Sequence, residues 1–379
     1  MTLRVALVLR RFDPRAGGLE RWTWQFAEHL IGLGHEVHVA ATAFPHPGLP
    51  VVEHLLPDEA SPWHQGERTQ AIVRGLPCDI VHDAECGWAA DVFHPHAGSR
   101  VLNLRRDLAA FDPARRLRIE LSPRFRRWRR DLRRAEARQM ASARAIVAVS
   151  RSVAEAIERD YPATRGRVFA VPNGIDTRVF APAVRAGLRD MARRALGLGD
   201  DIVVFLMVAQ NFRLKGLDTA LAAFARLGAS ARLLVAGDGP IEHYRRRLAG
   251  MPITDRVMFL GLVERMPELY AAADILLHPT FHDACSLATL EALACGLPVI
   301  TTRVNGAADD MTDGREGFVL PRAGDPAALA AAMHALLDAE RRRACGGAAA
   351  RLGQSRDFAV NCAGILALYD RVLEAGRAQ

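Results

Sequence analysis

Lysine is nearly missing from this chain. Of its 50 basic residues all but one are arginine, and the exception is Lys215. A GC-rich genome favours arginine codons wherever either cation will serve, so a position that keeps lysine is informative. Other absences narrow the field. No apolar run approaches the roughly 20 residues needed to span a bilayer. The opening LRVALVLRR is too short for a signal peptide and lacks a small-residue cleavage site, so it reads as a first buried strand and a cytoplasmic location is expected. The six cysteines, Cys78, Cys86, Cys285, Cys295, Cys345 and Cys362, form no CxxC pair and have no histidine at metal spacing, which excludes an obvious zinc site and leaves free thiols. Aromatic residues are scarce, at 6%. No GxGxxG follows the first strand, so a nicotinamide-binding fingerprint is absent.

What remains is an ordinary soluble composition, half apolar and a quarter charged, over 379 residues. That length is too great for one core and suits two domains. The net charge of +7 implies an acidic partner.

Short apolar runs alternate with amphipathic stretches, the pattern of parallel βαβ units. Strands are expected at Leu3–Leu9, Glu36–Ala41, Asp79–His82, Ala145–Val149 and Val168–Val171 in the first half. In the second half they are expected at Ile202–Val208, Arg232–Ala236, Arg256–Leu260, Ile275–His278, Val299–Thr301 and Gly317–Leu320. The fold class is therefore α/β, with two Rossmann-like doubly wound domains. Residues 171–183 (VPNGIDTRVFAPA) break both periodicities, placing the boundary near 178, with domains over 1–178 and 179–356. A last helix, about 357–379, has no following strand in the second domain and is expected to cross back onto the first. Ligands of such sheets bind at the carboxyl ends of their strands, here in a cleft between the two domains.

Three segments there carry chemistry. Gly17 and Gly18 stand at the first strand-to-helix turn, where small residues let amides approach an anion, though a plain turn reads equally well. Arg213 and Lys215 follow the first strand of the second half, directly before Gly216 and a helix. A compact ammonium and a guanidinium fork there suit phosphate oxygens; an exposed basic loop is the competing reading. After Ile275–His278, Asp283 falls at a loop–helix junction and Glu291 lies eight residues on, about two helical turns. The first-turn amides of Cys285, Ser286 and Leu287 are natural donors to a diphosphate. Glu291 sits among Leu290, Ala292, Leu293 and Ala294, so its carboxylate is costly unless something binds it. Two vicinal ribose hydroxyls would do so.

The run from Asp283 through Glu291 to Gly296-Leu297-Pro298-Val299-Ile300 resembles the E-x7-E segment of the family 4 retaining glycosyltransferases. The Arg213/Lys215-Gly216 loop, Gly237-Asp238-Gly239-Pro240, Gly261-Leu262-Val263, Pro172-Asn173-Gly174-Ile175-Asp176 and Gly17-Gly18 resemble that family's landmarks in its order. The resemblance implies a GT-B fold, a nucleoside-diphosphate-sugar donor (a UDP-sugar most commonly), and transfer with no cofactor and no metal. The lack of a D-x-D motif agrees with the last point. It further implies that Glu291 holds the donor ribose, Lys215 the diphosphate, and Asp283 the hydroxyls of the transferred sugar. Gly17, Gly18, Arg213, Gly237, Val263, Cys285, Ser286 and Leu287 would line the donor site. A first-domain histidine that contacts the donor sugar is expected within DVFHPHAGS, at His96 rather than His94, because His96 precedes Ala97-Gly98. Two departures stand out. Asp283 replaces the commoner glutamate, and Gln210 holds the place of the usual arginine five residues before the lysine.

Between Arg100 and Arg138, both included, lie 14 arginines, with Leu117, Ile119, Leu121, Phe125, Trp128 and Leu132 as an apolar complement. Cationic stretches with Trp and Phe sit on anionic membranes, and family members that build lipid-linked glycans or lipopolysaccharide cores use such a patch. A solvated helical face is the alternative reading, and no nucleic-acid motif is present. The expected partners are thus the nucleotide sugar, a glycan or lipid-linked acceptor, and an anionic membrane surface. The competing functions are a non-catalytic nucleotide-sugar binder and a GT-B sugar-nucleotide epimerase.

Overall fold

In the computed structural model, residues 2–46, 48–109 and 111–377 are described. The chain forms two compact units, Met1–Pro172 with Ala359–Gln379, and Asn173–Phe358. The first change-over falls at Pro172, within the broken segment but six residues before position 178.

The first unit is a seven-stranded sheet of β1 (Arg4–Val8), β2 (Glu36–Ala41), β3 (Val52–Leu55), β4 (Ile80–Asp83), β5 (Val92–Phe93), β6 (Ala145–Ala148) and β7 (Val168–Ala170). Their order is β3-β2-β1-β4-β5-β6-β7, and every pairing is parallel. Helices cover such a sheet on both faces, so β1 and β6 read as unbroken apolar runs rather than alternating ones. Two strands escape the pattern. β3 is an edge strand whose sequence VEHL is mostly exposed, and β5 is only two residues long.

The second unit holds β8 (Val203–Val208), β9 (Ala231–Ala236), β10 (Val257–Gly261), β11 (Ile275–His278), β12 (Val299–Thr302) and β13 (Gly317–Leu320). They pair in parallel in the order β10-β9-β8-β11-β12-β13. The helix Pro182–Ala195 is pinned under this sheet by arginine. Arg193, 1% exposed, donates to Asp274 Oδ2 at 3.3 Å and to the carbonyl of Ile202 at 2.7 Å, and Arg189 donates to Asp274 Oδ1 at 2.6 Å. Asp274 also accepts the amide of Val204, so a buried carboxylate joins helix to strand with its charge matched.

The last helix, Phe358–Arg377, packs in the first unit, where Asn361 accepts from Trp22 Nε1 at 2.8 Å and Tyr369 meets His82 at 2.7 Å.

The arginine-rich segment forms three helices, Arg100–Ala109, Pro113–Leu121 and Pro123–Ser142. Asp112 and Ser122 cap the latter two and a proline opens each, the position where its missing amide hydrogen costs nothing. Pro113–Leu121 buries nothing and leaves Leu117 and Leu121 exposed. The expected apolar complement is smaller than the sequence suggests: Leu132 is buried, while Arg134 and Arg138 lie over the rings of Trp63 and Trp88. The far half of this segment is therefore packing surface. Among the described residues no helix is long and apolar enough to cross a membrane.

Candidate functional site

Every sequence-selected residue lies just beyond the carboxyl end of a strand or on the helix that follows one. In the second unit, β8 ends at Val208 and the chain turns through Asn211 to Gly216, whose left-handed φ of 82° starts the helix Leu217–Phe224. A Cβ at Gly216 would meet the carbonyl oxygen of Pro279 at 2.2 Å, so glycine lets the Lys215 loop press against the end of β11. Gly237 has the same kind of duty. At φ 130° its missing Cβ would lie 1.7 Å from the Ala209 carbonyl oxygen, which explains the residue by packing alone.

That close approach brings Lys215 onto Asp283. Lys215 Nζ donates to Asp283 Oδ2 at 2.6 Å, and to the carbonyl of His282 at 3.3 Å. A third residue joins them. His278, which closes β11, lies 2.9 Å from the same Oδ2 through Nε2. Burial lowers the basicity of His278 despite the carboxylate beside it, so it is a neutral imidazole donating from Nε2. Its Nδ1 then carries a lone pair, buried and without a partner among the described residues. Burial alone would raise the Asp283 pKa, but Lys215 and His278 outweigh it and hold the carboxyl well below the usual range. Asp283 is thus a permanent anion with one oxygen doubly bound and side-chain exposure of 16%.

The helix Leu287–Ala294 begins beyond it, with Ser286 as N-cap accepting from the Thr289 amide at 3.2 Å. One of the three expected phosphate donors is already engaged, because the amide of Ser286 donates to Asn305 Oδ1 at 3.3 Å. Asn305 is fully buried, its amide group donating to Thr289 and Thr301, and so it fixes the loop. The amides of Cys285 and Leu287 have no acceptor among the described residues. Asn173 donates to the Cys285 carbonyl at 3.2 Å, and burial pushes the Cys285 thiol up to about 12, far from a thiolate.

Glu291 is only 2% exposed. Contrary to the expectation that a ligand must satisfy it, the protein supplies a donor: Tyr270 Oη at 2.7 Å from Oε2. Arg213 and Val263 are half-buried on neighbouring loops.

In the first unit, Gly17 is extended and caps the helix Gly18–Gly32 without a side-chain bond. The notable cluster is aromatic. His94 and His96 stack with centroids 3.8 Å apart, and Trp22 lies 4.8 Å and 4.6 Å from them. His82 Nε2 lies 3.0 Å from His94 Nδ1. Burial pushes His82 and His96 down to about 3 and His94 well below its ordinary value. These imidazoles are neutral at physiological pH, so His96 can offer a hydrogen bond but not a proton-loaded acid.

The comparisons follow this division. Residues 16–179 match the family model described as Glycosyltransferase Family 4, and residues 201–339 match that described as Glycosyl transferases group 1. The chain belongs to the family 4 glycosyltransferases. A D-inositol 3-phosphate glycosyltransferase of Catenulispora acidiphila is 35% identical over 62% of this chain and 57% of its own length. The lipopolysaccharide glucosyltransferase WaaG of Escherichia coli is 29% identical over 83% of this chain and 84% of its own. Across the first inositol-phosphate relatives, the chain spans about half of their length. A crystal structure of WaaG superposes with a TM-score of 0.77 at 22% identity, covering 98% of this chain and 99% of that one. The Anabaena protein HepE, crystallised with UDP-glucose, gives 0.73 at 15% identity, with full coverage of both. The fold is GT-B.

His278, Tyr270 and Asn305 were not singled out from sequence. A histidine ending the apolar run ILLH was the available signal for the first; the other two act through distant partners.

Two outcomes test this geometry. Lys215→Met strands a buried carboxylate and is expected to destabilise the chain by about 3 kcal/mol, whereas adding Asp283→Asn recovers much of that loss. Denaturant unfolding of both variants checks it, and equal stability would mean the pair is not formed. The second concerns pH. A histidine at about 3 in the folded chain and 6.5 when unfolded leaves stability intact above pH 6.5 and erodes it as pH falls towards 3. His82→Asn should therefore reduce the slope of stability against pH by about 1.4 kcal/mol per unit in that window. An unchanged slope would mean that His82 titrates normally.

Proposed function

We propose that this chain is a retaining, metal-independent glycosyltransferase that moves a sugar from a nucleoside-diphosphate sugar to a glycan or lipid-linked acceptor of the cell envelope. The observation that carries the reading is the Lys215–Asp283 pair at the carboxyl edge of the second sheet, with Glu291 two turns into the adjoining helix. On this reading the cation serves a diphosphate, the anion beside it sugar hydroxyls, and the carboxylate on the helix a ribose. Lys215 keeps a proton to offer beyond its two protein acceptors. Two amides at the helix entrance, that of Cys285 before the cap and that of Leu287 in the first turn, add to it. Asp283 retains an oxygen for the sugar, and Glu291 accepts from the ribose alongside Tyr270. On the first unit, His96 meets the sugar as a neutral partner, and Gly17 and Gly18 keep the helix start clear of side chains. Arg213 and Val263 flank the donor on the neighbouring loops. No cofactor beyond the donor is required.

The bond from the anomeric carbon to the leaving phosphate oxygen breaks, and the acceptor oxygen bonds on the same face. The acceptor proton passes to that phosphate oxygen, and a nucleoside diphosphate departs. Lys215 and the helix amides stabilise its growing charge, help that is typically worth a few kcal/mol per donor. A UDP-sugar is the favoured donor, in keeping with the UDP-glucose bound by HepE, and the likeness to WaaG, a lipopolysaccharide glucosyltransferase, supports an envelope acceptor. The exposed Leu117, Leu121 and Trp128, among arginines, support peripheral contact with an anionic membrane on its cytoplasmic face.

The test is a panel of nucleotide sugars with chelator present, scoring nucleoside diphosphate released with acceptor and the anomeric coupling of the product. The expected product keeps the donor's configuration, and Lys215→Ala lowers kcat/KM by about 100-fold or more. Binding without turnover would favour a non-catalytic subunit, and acceptor-independent conversion of the sugar an epimerase. An inverted product would refute retention.

A further inference from the structure

The histidine cluster of the first unit is wired to the last helix, and the direction of that wire can be worked out. Tyr369, on Phe358–Arg377, is fully buried, and among the described residues its hydroxyl meets one partner, His82 Nδ1, at 2.7 Å. A buried hydroxyl proton needs an acceptor, so Tyr369 donates and His82 Nδ1 accepts. His82 is neutral, so its one proton is on Nε2, and that N–H donates to His94 Nδ1 at 3.0 Å. His94 is neutral in turn, which puts its proton on Nε2. That nitrogen is buried and has no hydrogen-bond partner among the described residues. The same holds for Nε2 of His96, stacked on the His94 ring at 3.8 Å and 25°. Trp22 confines both rings and is itself held by the last helix, through Nε1 to Asn361 Oδ1.

A neutral imidazole has a dipole whose direction follows its proton. Two rings stacked this closely sense each other's tautomer, because opposed dipoles attract and aligned ones repel. We propose that Tyr369 and His82 are positioning residues that lock His94 as its Nε2–H tautomer and thereby fix the orientation and tautomer of His96, the residue that meets the transferred sugar. The role rests on the glycosyltransferase reading; the wire itself does not. Neither Tyr369 nor His82 contacts substrate. Their contribution is a preset hydrogen-bond polarity, so that the site need not reorganise as the sugar arrives.

The test uses the full chain with nitrogen-15-labelled histidine and long-range proton–nitrogen correlation spectra between about pH 6 and 8, where an ordinary histidine titrates. The expected spectrum shows His94 protonated on Nε2 alone and unmoved by pH, and Tyr369→Phe makes it exchange between tautomers. In the transfer assay that variant should lose about tenfold in kcat while KM for the nucleotide sugar stays within about twofold, the split expected when only the geometry of a reacting group is disturbed. A merely structural tyrosine would move neither the tautomer nor that split. An Nδ1–H tautomer at His94 in the unaltered chain overturns the wire. Unchanged kcat in Tyr369→Phe overturns the positioning role. The spectrum needs no substrate, so it separates failure of the wire from failure of the function, and the unaltered chain decides it should the variant not fold.

Discussion

At the carboxyl edge of the second sheet a carboxylate is taken out of water and kept ionised. Asp283 can be an anion there because Lys215 and His278 both donate to one of its oxygens, and those donors come from the ends of two adjacent strands. The arrangement depends on backbone spacing. Gly216 permits the contact between the β8 and β11 loops, and Asn305 stiffens the segment that follows. An aspartate in place of a glutamate fits this economy. The shorter side chain stays within reach of both donors, so the carboxylate is fixed by the scaffold before any sugar is present. The ammonium is likewise preset, which is how a site stabilises charge without paying reorganisation energy at the moment of reaction.

The first unit solves a different problem. Its cluster of His82, His94, His96 and Trp22 excludes charge, since burial holds all three imidazoles neutral. Hydrogen-bond direction is then set by tautomer, and tautomer by a tyrosine on the helix that closes the chain. That gives the last helix a chemical reason to return to the first unit in addition to the packing of Ile365, Leu368 and Val372.

Much of this was legible in the residues themselves. Parallel strands buried on both faces declare themselves as apolar runs, so β8 to β13 were all anticipated within a residue or so, and the solitary lysine drew attention to its loop, although its bond to Asp283 was not anticipated. Edge and stub strands were not, because VEHL buries too little and Val92–Phe93 is too short to show a period. The site's supporting residues were hidden for another reason. Tyr270 serves Glu291 across 21 residues and Tyr369 serves His82 across 287, and no local pattern encodes a partner at such separation. The arginine-rich segment misled in part. Composition could not tell the arginines that cover Trp63 and Trp88 from those around the exposed Leu117 and Leu121.

The most direct measurement is a crystal structure of the full chain with a bound nucleoside diphosphate. Lys215 Nζ is expected within about 3 Å of a phosphate oxygen, with the ribose hydroxyls on Glu291. A diphosphate held elsewhere, with Lys215 still bonded only to Asp283 and the His282 carbonyl, would contradict it.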